Sequence, residues 1–350
     1  MELEQYRAIR RGAGLLSRTS RGLIAVRGND RADYLQGLLT NDIAGVAVGS
    51  GCYAAYLTPQ GRLELDLEVF NLGDWILLDV DAGVRQALIA RLENLIFTED
   101  VSIVSLSERW ISYGLHGPAA LDVVEAAFSS LGANSGQLAT VRRLGEHQCC
   151  RPLIGPETPI VARTDELGVC GVSIHVIQGE LTPIYEALMS AGSIAIDQTT
   201  ADLVRIESGR PAFPVDMGSD TIPLEAGIED RAISLTKGCY VGQEVIIRIL
   251  HRGDGRVARR LVGLTVENSG LGVVKPEPGA ILWSNEDPVG TVTSSALSPA
   301  LGCAVILGYL PSALTEIGTR VQVDLLNRRT WSVVTSTPFV SDLIVSQCLG

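Results

Sequence analysis

The spacing of apolar residues changes at about residue 255, and this change most constrains the fold. Beyond it helical periodicity disappears, and short β-branched runs alternate with Gly, Pro and Asn turn residues. Such a pattern is typical of a small all-β barrel or sandwich. The predicted strands are Leu261–Val266, Ala280–Trp283, Val289–Ser294, Ala304–Leu307, Arg320–Leu325 and Thr330–Thr335. We therefore predict an all-β domain over residues 256–350.

Residues 1–255 instead mix strand and helix signals in two successive blocks. In the first block, strands are predicted at Gly22–Arg27, Cys52–Leu57, Leu63–Phe70 and Trp75–Val80, with helical stripes after Asp30 and Asp81. In the second, they are predicted at Trp110–His116, Leu138–Leu144, Pro159–Ala162 and Val169–Val176, with helices after Pro118 and near Pro183–Met189. Paired strands with intervening helices predict an α+β pseudo-repeat.

Composition excludes several classes of protein. The 350 residues carry 28 Lys and Arg against 40 Asp and Glu, a net charge of −12, which argues against nucleic acid as a partner. No apolar run reaches the ~18 residues of a membrane span, and Met1–Arg11 lacks a signal-peptide pattern. The seven cysteines are scattered and form no C-x-x-C motif, so we expect reduced thiols in the cytoplasm and no metal site.

The octet Lys237–Glu244 (KGCYVGQE) is the most informative segment for chemistry. Glycines bracket Cys239 and leave room for an accessible thiol, while Lys237 and nearby arginines such as Arg248 supply positive charge. Such an environment favours the thiolate and therefore a reactive cysteine. The alternative is a packing cysteine buried in a tight turn.

A second segment, Asp202–Gly209, places Glu207 on a predicted helix with Arg205. A carboxylate here can accept two hydrogen bonds from a fork of N–H donors, such as the edge of a pterin ring. The alternative is a solvated glutamate paired with Arg205 or Arg210.

These segments together resemble a known family. Arg205–Gly209, Pro223–Gly227 and the octet resemble the signature of the YgfZ-type folate-binding proteins, relatives of the glycine-cleavage T protein, which is an aminomethyltransferase. The stretches Val26–Asp30, Leu35–Asp42 and Pro59–Leu63 are similar to other motifs of that family. The octet favours the YgfZ branch over true T proteins.

The resemblance implies an α+β fold: a ring of three domains with tetrahydrofolate in the central channel. Two ferredoxin-like lobes would occupy residues 1–255, with the chain crossing between them, and the β-barrel would follow. The implied function is to bind tetrahydrofolate or a one-carbon derivative and to support assembly or repair of iron–sulfur enzymes. The implied partners are folate and either iron–sulfur assembly proteins or client cluster enzymes.

The resemblance also implies residue roles. Glu207 would hold the pterin, Cys239 would act at the channel mouth, and Lys237 and Arg248 would supply positive potential. The other residues expected around the cofactor are Arg205, Asp81, Tyr240 and Gln243.

This sequence departs from the aminomethyltransferase pattern at the family's pair of aspartates. The first aligns with Leu65, which leaves Asp66 as the candidate catalytic acid, and the strand alternation leaves open that Asp66 faces away from the folate. An apolar Leu65 cannot relay a proton, which argues against aminomethyl transfer. Two rival functions remain: a folate-dependent one-carbon transferase or demethylase that uses Asp66 or Glu64, and a non-catalytic interaction module.

Overall fold

The computed structural model describes residues 2–155, 158–252, 255–267 and 274–341, so Cys348 lies outside the described residues. The chain begins with α1 (Glu2–Arg11) and β1 (Gly14–Ser17). Two α+β lobes and a closed β-barrel follow. The predicted fold class is confirmed.

The first lobe is a five-stranded sheet with two helices against one face. Its elements are β2 (Arg21–Arg27), α2 (Arg31–Gln36), β3 (Ser50–Leu57), β4 (Leu63–Asn71), β5 (Ile76–Asp81), α3 (Arg85–Asn94) and β6 (Ser102–Ser105). The strand order is β3-β4-β5-β2-β6. Residues such as Leu65, Leu67 and Val69 pack between this sheet and its helices because alternate residues of β4 face the same side.

The second lobe repeats this topology. Its elements are β7 (Trp110–His116), α4 (Ala120–Ser130), α5 (Ser135–Arg142), β8 (Cys149–Cys150), β9 (Ile160–Thr164), β10 (Gly171–Ile177), α6 (Leu181–Ser190) and β11 (Ile194–Ile196). The order is β11-β1-β7-β10-β9-β8. This is the order of the first lobe with β1 inserted, so the N-terminal segment completes the second sheet.

The predicted strand Leu138–Leu144 is wrong, because these residues overlap helix α5. Asn134 caps this helix: its side chain accepts hydrogen bonds from the Gly136 and Gln137 amides, and the Gln137 side chain bonds back to the Asn134 amide. This reciprocal capping box stabilises a helix start and outweighs the weak β-propensity of the segment.

After the second lobe the chain forms α7 (Gln198–Glu207) and three further helices, α8 (Pro223–Ala226), α9 (Glu229–Ala232) and α10 (Gln243–Arg252). The barrel then closes in the order β12-β15-β14-β13-β16-β17. Its strands are β12 (Arg259–Val266), β13 (Ile281–Ser284), β14 (Asp287–Ser298), β15 (Cys303–Pro311), β16 (Arg320–Leu325) and β17 (Arg328–Thr335). Each overlaps one of the six predicted strands.

The two lobes contact each other through the open faces of their sheets. Apolar residues from both meet there, including Phe70 and Leu77 of the first lobe and Ile160 and Ala162 of the second. Among the described residues, no helix combines the length and the apolar character needed to cross a bilayer.

Candidate functional site

A cavity of about 560 Å³ lies where the two lobes meet the segment that follows α7. Its volume falls within the range of small-molecule sites. Tyr53 and Phe213 give it aromatic surface. Its charged lining residues are Arg18, Arg21, Asp66, Glu68, Asp81, Glu166, Asp197, Asp202, Arg205 and Arg231.

One wall of the cavity holds Tyr53, Asp66 and Arg231. The Tyr53 hydroxyl donates to Asp66 Oδ2 at 2.7 Å, and the Arg231 guanidinium lies 4.7 Å from the Tyr53 ring centroid. Burial raises the pKa of Asp66, although Arg21 and the Tyr53 hydrogen bond oppose this. Asp66 Oδ1 and Arg231 Nε are buried without a hydrogen-bond partner among the described residues. The wall therefore contains one acceptor and one donor whose hydrogen-bonding capacity the described residues leave unused.

Asp66 faces the cavity because β4 alternates. Leu65 is 4% exposed and belongs to the core beneath the helices, so its neighbour Asp66 points to the opposite side of the sheet. Asp66 therefore lies on the cavity side of β4. The same alternation leaves Leu65 in hydrocarbon surroundings, away from the cavity.

A buried ionic network forms the floor. Arg18 donates to Asp79 Oδ2 at 2.9 Å and pairs with Glu166, while Arg21 Nε donates to Asp79 Oδ1 at 2.7 Å. Burial alone would raise the pKa of Asp79, but the two guanidinium groups lower it well below its usual range. Asp79 and Glu166 already neutralise the charges of Arg18 and Arg21. The two arginines therefore contribute more to the shape of the floor than to attraction of an anion.

Arg205, predicted to bind the cofactor, lines the cavity but is largely committed to protein partners. Its guanidinium donates to Asp216 Oδ2 at 2.6 Å, to Asp202 Oδ1 at 3.1 Å and to Ser294 Oγ at 3.1 Å. These bonds join α7 and the barrel to the loop that carries Phe213. Arg205 therefore holds the aromatic wall in position.

Glu68 lies on the same side of β4 as Asp66 and is 6% exposed. His147 of the second lobe approaches it, with Nδ1 3.0 Å from Glu68 Oε2. Burial lowers the pKa of His147, but the neighbouring Glu68 carboxylate raises it overall. Sequence reasoning missed both residues, since nothing near His147 in the chain indicates its contact with β4.

Comparison with known proteins identifies the family of this fold. A sequence profile of the GCVT N-terminal domain matches residues 2–237, and one of the glycine cleavage T-protein C-terminal barrel domain matches residues 259–341. The chain belongs to the glycine cleavage T-protein family.

Relatives within the T-protein family match along nearly the whole chain. An aminomethyltransferase of Listeria monocytogenes is 28% identical over 338 residues, which are 96% of this chain and 88% of the relative. One from Prochlorococcus marinus is 27% identical over 347 residues, covering 96% and 89%. The crystal structure of the glycine cleavage system aminomethyltransferase T from Bartonella henselae superposes with a TM-score of 0.84 at 25% identity, covering 97% of this chain and 89% of that one.

Within this T-protein fold, Glu207 does not line the cavity. It has no exposed surface, and its carboxylate accepts hydrogen bonds from Tyr6 Oη (2.8 Å), Arg10 Nη2 (2.5 Å) and Ser298 Oγ (2.5 Å). These contacts engage both oxygens at the junction of α1, α7 and the barrel. The role of Glu207 in holding a pterin stays a prediction.

The octet does not line the cavity either. Lys237 Nζ donates to the carbonyl oxygens of Gln36, Leu39 and Asn41 at 2.6–2.7 Å, so its three N–H groups are engaged. Burial lowers the pKa of Lys237 to about 8, against the effect of Asp42. The expected role of Lys237, to supply positive potential near Cys239 and a bound folate, stays a prediction.

Cys239 is exposed on the turn that follows Lys237, as predicted for an accessible thiol. Tyr240 is 7% exposed and packs into a core formed with β3. Gln243 begins α10, and Arg248 is exposed on the same helix. None of these four side chains is among the described residues that line the cavity. The expected places of Tyr240, Gln243 and Arg248 around the cofactor, and of Cys239 at the channel mouth, stay predictions.

Asp81 lines the cavity, and its Oδ1 accepts a hydrogen bond from the Gly83 amide at 2.8 Å. Its contact with a cofactor stays a prediction. Of the nine predicted site residues, the structure therefore brings together Asp66, Asp81 and Arg205. In the described ranges, no group of three His, Cys, Asp or Glu side chains has the geometry to hold a metal ion.

Proposed function

We propose that this T-protein family member binds tetrahydrofolate or a one-carbon derivative in the cavity between its lobes. The observation that carries the proposal is that Asp66 and Arg231 both line this cavity while Asp66 Oδ1 and Arg231 Nε find no hydrogen-bond partner among the described residues. A pterin ring carries N–H donors beside a carbonyl acceptor, which complements one acceptor and one donor. The family membership makes folate the ligand to test first.

The aromatic surfaces fit the same ligand. Tyr53 and Phe213 both line the cavity, and flat aromatic faces bind conjugated rings through stacking or edge contacts. Asp66 would accept from the pterin N–H groups and Arg231 would donate to its carbonyl oxygen. The bound folate would supply a carrier for a one-carbon unit.

The test is a thermal shift with tetrahydrofolate. Ligand at 100 times its dissociation constant adds about 2.7 kcal/mol of stability, which is readily measured. We expect Asp66→Asn to abolish the shift, because the amide replaces a carboxylate acceptor. Glu64→Gln is the matched control: Glu64 lies on the same strand, pairs with Arg91 and does not line the cavity.

A missing shift in the wild-type protein at millimolar ligand would overturn the folate proposal. An undiminished shift in Asp66→Asn would retain folate but remove Asp66 from its site. Circular dichroism of both variants would establish that they are folded.

As the narrower function, we infer that the folate-loaded protein supports assembly or repair of iron–sulfur enzymes in the cytoplasm, with Cys239 as the reactive thiol. The octet resemblance supports this, and so does exposure: of the six described cysteines, Cys239 alone is exposed and the others are buried or partly buried. Iron–sulfur assembly proteins or client enzymes would then be its partners.

Cells that carry Cys239→Ser should show reduced activity of a subset of iron–sulfur enzymes. Cys303→Ser is the control, since Cys303 is partly buried in the barrel. Unaltered activities with Cys239→Ser would remove the cysteine from the mechanism and would favour a non-catalytic interaction module.

One observation favours the second candidate, a folate-dependent one-carbon transferase. Asp66 faces the cavity with a raised pKa, and an acid of this kind suits proton transfer at a bound folate. This function predicts one-carbon transfer from an amine donor to tetrahydrofolate. Loss of turnover in Asp66→Asn, with full turnover in Cys239→Ala, would establish it.

A further inference from the structure

Lys237 lies at the centre of a contact between the octet and the first lobe. Its ammonium group donates to Gln36 O at 2.7 Å, Leu39 O at 2.6 Å and Asn41 O at 2.7 Å. Gln36 is the last residue of α2, so the cation also caps carbonyl groups that the helix leaves without partners. We name the bonded group formed by Lys237 and these three carbonyls the lysine staple.

The loop held by the lysine staple contacts the wall of the cavity. Asn41 Nδ2 donates to the backbone oxygens of Tyr53, at 2.8 Å, and Arg231, at 3.0 Å. The backbones of these two residues are therefore joined by one amide group. Their side chains meet on the cavity side, where the Arg231 guanidinium lies 4.7 Å from the Tyr53 ring centroid.

The neighbouring Thr40 reinforces this connection. Its hydroxyl donates to Ala232 O at 2.6 Å and accepts from the Ala55 amide at 2.8 Å. Both ends of the Thr40–Asn41 segment thus join β3 to the chain around Arg231. Displacement of this segment would move Tyr53 and Arg231 relative to Asp66, which bonds to the Tyr53 hydroxyl.

We propose that Lys237 is a positioning residue for the cavity: through the carbonyl and side chain of Asn41, it sets the placement of Tyr53 and Arg231 against Asp66. This inference rests on the proposed function for its ligand, but the contacts themselves do not depend on folate. It gives the octet a link to the cavity that needs no direct contact with ligand.

The first test is a double-mutant cycle on the tetrahydrofolate dissociation constant. Lys237→Met removes the staple, and Asn41→Ala removes the two bonds to Tyr53 and Arg231. We expect each single variant to weaken binding about fivefold to tenfold, as for loss of one or two hydrogen bonds. The double variant should weaken it no more than the stronger single, because the two residues act in series.

Two further variants separate positioning from general destabilisation. Lys237→Arg should restore binding in part, since it keeps the charge but cannot direct three N–H groups to converging carbonyls. Ser332→Ala removes a buried side-chain bond to Val321 O (3.0 Å) in the barrel and should leave the dissociation constant unchanged. Additive effects in the cycle, or unchanged binding in Lys237→Met, would overturn the inference.

A second measurement needs no ligand. In a sample with ¹³C-labelled aspartate carboxyl groups, an NMR titration reports the pKa of Asp66. The Tyr53 hydrogen bond lowers this pKa, so its disruption in Lys237→Met should raise the pKa above the wild-type value. This titration tests the positioning role even if the wild-type protein binds no folate. An unchanged Asp66 pKa in Lys237→Met would by itself overturn that role.

Discussion

At the scale of single residues, Asp66 and Glu207 differ in how far protein partners occupy their carboxylate oxygens. Both are held by tyrosine hydroxyls, Tyr53 and Tyr6 respectively. Glu207 is also paired with Arg10 and bonded to Ser298, whereas one oxygen of Asp66 has no hydrogen-bond partner in the part of the chain that the structure describes. Of these two carboxylates, Asp66 is therefore the one that we propose for the ligand, while Glu207 joins α1, α7 and the barrel.

Glu207→Gln tests this division of roles. The change leaves the Arg10 charge buried without its partner, and we expect the free energy of unfolding to fall by about 3 kcal/mol. Urea denaturation measures the loss, with the exposed Glu186→Gln as the control. The thermal shift with tetrahydrofolate should persist. A stable Glu207→Gln protein that no longer binds folate would return Glu207 to the ligand site.

At the scale of elements, the octet is a turn packed against the β3–β4 hairpin. Gly242 has φ +84°, and a Cβ built there would lie 2.4 Å from Thr58 O. Gly61 of the hairpin has φ +73° and approaches Gly242 O and Val245. For Gly238, no atom of the described residues lies within 4 Å of such a Cβ. The two glycines of the octet therefore differ: one allows close packing and the other leaves Cys239 uncrowded.

Gly242→Ala and Gly238→Ala form a matched pair for this element. We expect Gly242→Ala to lower the free energy of unfolding by about 1–3 kcal/mol, since it combines a left-handed backbone with a steric clash. Gly238→Ala should change it little. Chemical denaturation of both variants is the measurement, and equal effects would show that Gly242 is not a packing constraint.

At the scale of the whole molecule, a buried polar network joins the two lobes. Arg18 of the β1–β2 turn bonds to Asp79 in the first lobe and to Ser173 in the second. His116 and His175 lie beside this network with no exposed surface. Burial lowers the pKa of each histidine to about 4, so both are neutral in the folded protein near pH 7.

This network predicts acid sensitivity. Between about pH 6.5, where an unfolded histidine gains its proton, and about pH 4, the unfolded state binds more protons than the folded state. The free energy of unfolding should therefore fall as pH decreases through this range. Below it, protonation of Asp79 should remove the stability that its lowered pKa provides.

Urea denaturation at several pH values in this range measures how the free energy of unfolding changes with pH. We expect this change per pH unit to be smaller in His175→Gln than in the wild type. His251→Gln is the control, because His251 is exposed on α10. The assignment of neutral buried histidines would be contradicted if the free energy of unfolding of His175→Gln changed with pH as in the wild type. It would also be contradicted if the stability of the wild type were constant from pH 6.5 to 4.

Local patterns in the sequence are sufficient for the barrel strands and for most elements of the two lobes. Alternation along β4 and the turn residues between barrel strands act over a few positions, so they can be recognised without the rest of the chain. The resemblance of the octet and of the Arg205–Gly209 segment also indicates the family from short stretches. Even so, the local pattern was wrong at Leu138–Leu144, where a capping box starts a helix.

The site was decided by tertiary structure. Asp66, Arg205 and Arg231 meet in one cavity only because two lobes and the segment after α7 converge, and Lys237 reaches Asn41 across 196 positions of sequence. The surroundings of Glu207 on α7 likewise depend on distant residues, because Arg10 and Ser298 both bond to its carboxylate. Propensity and periodicity describe the preferences of each segment by itself. Desolvation and hydrogen-bond partners arise from contacts between segments, so only the assembled fold shows them.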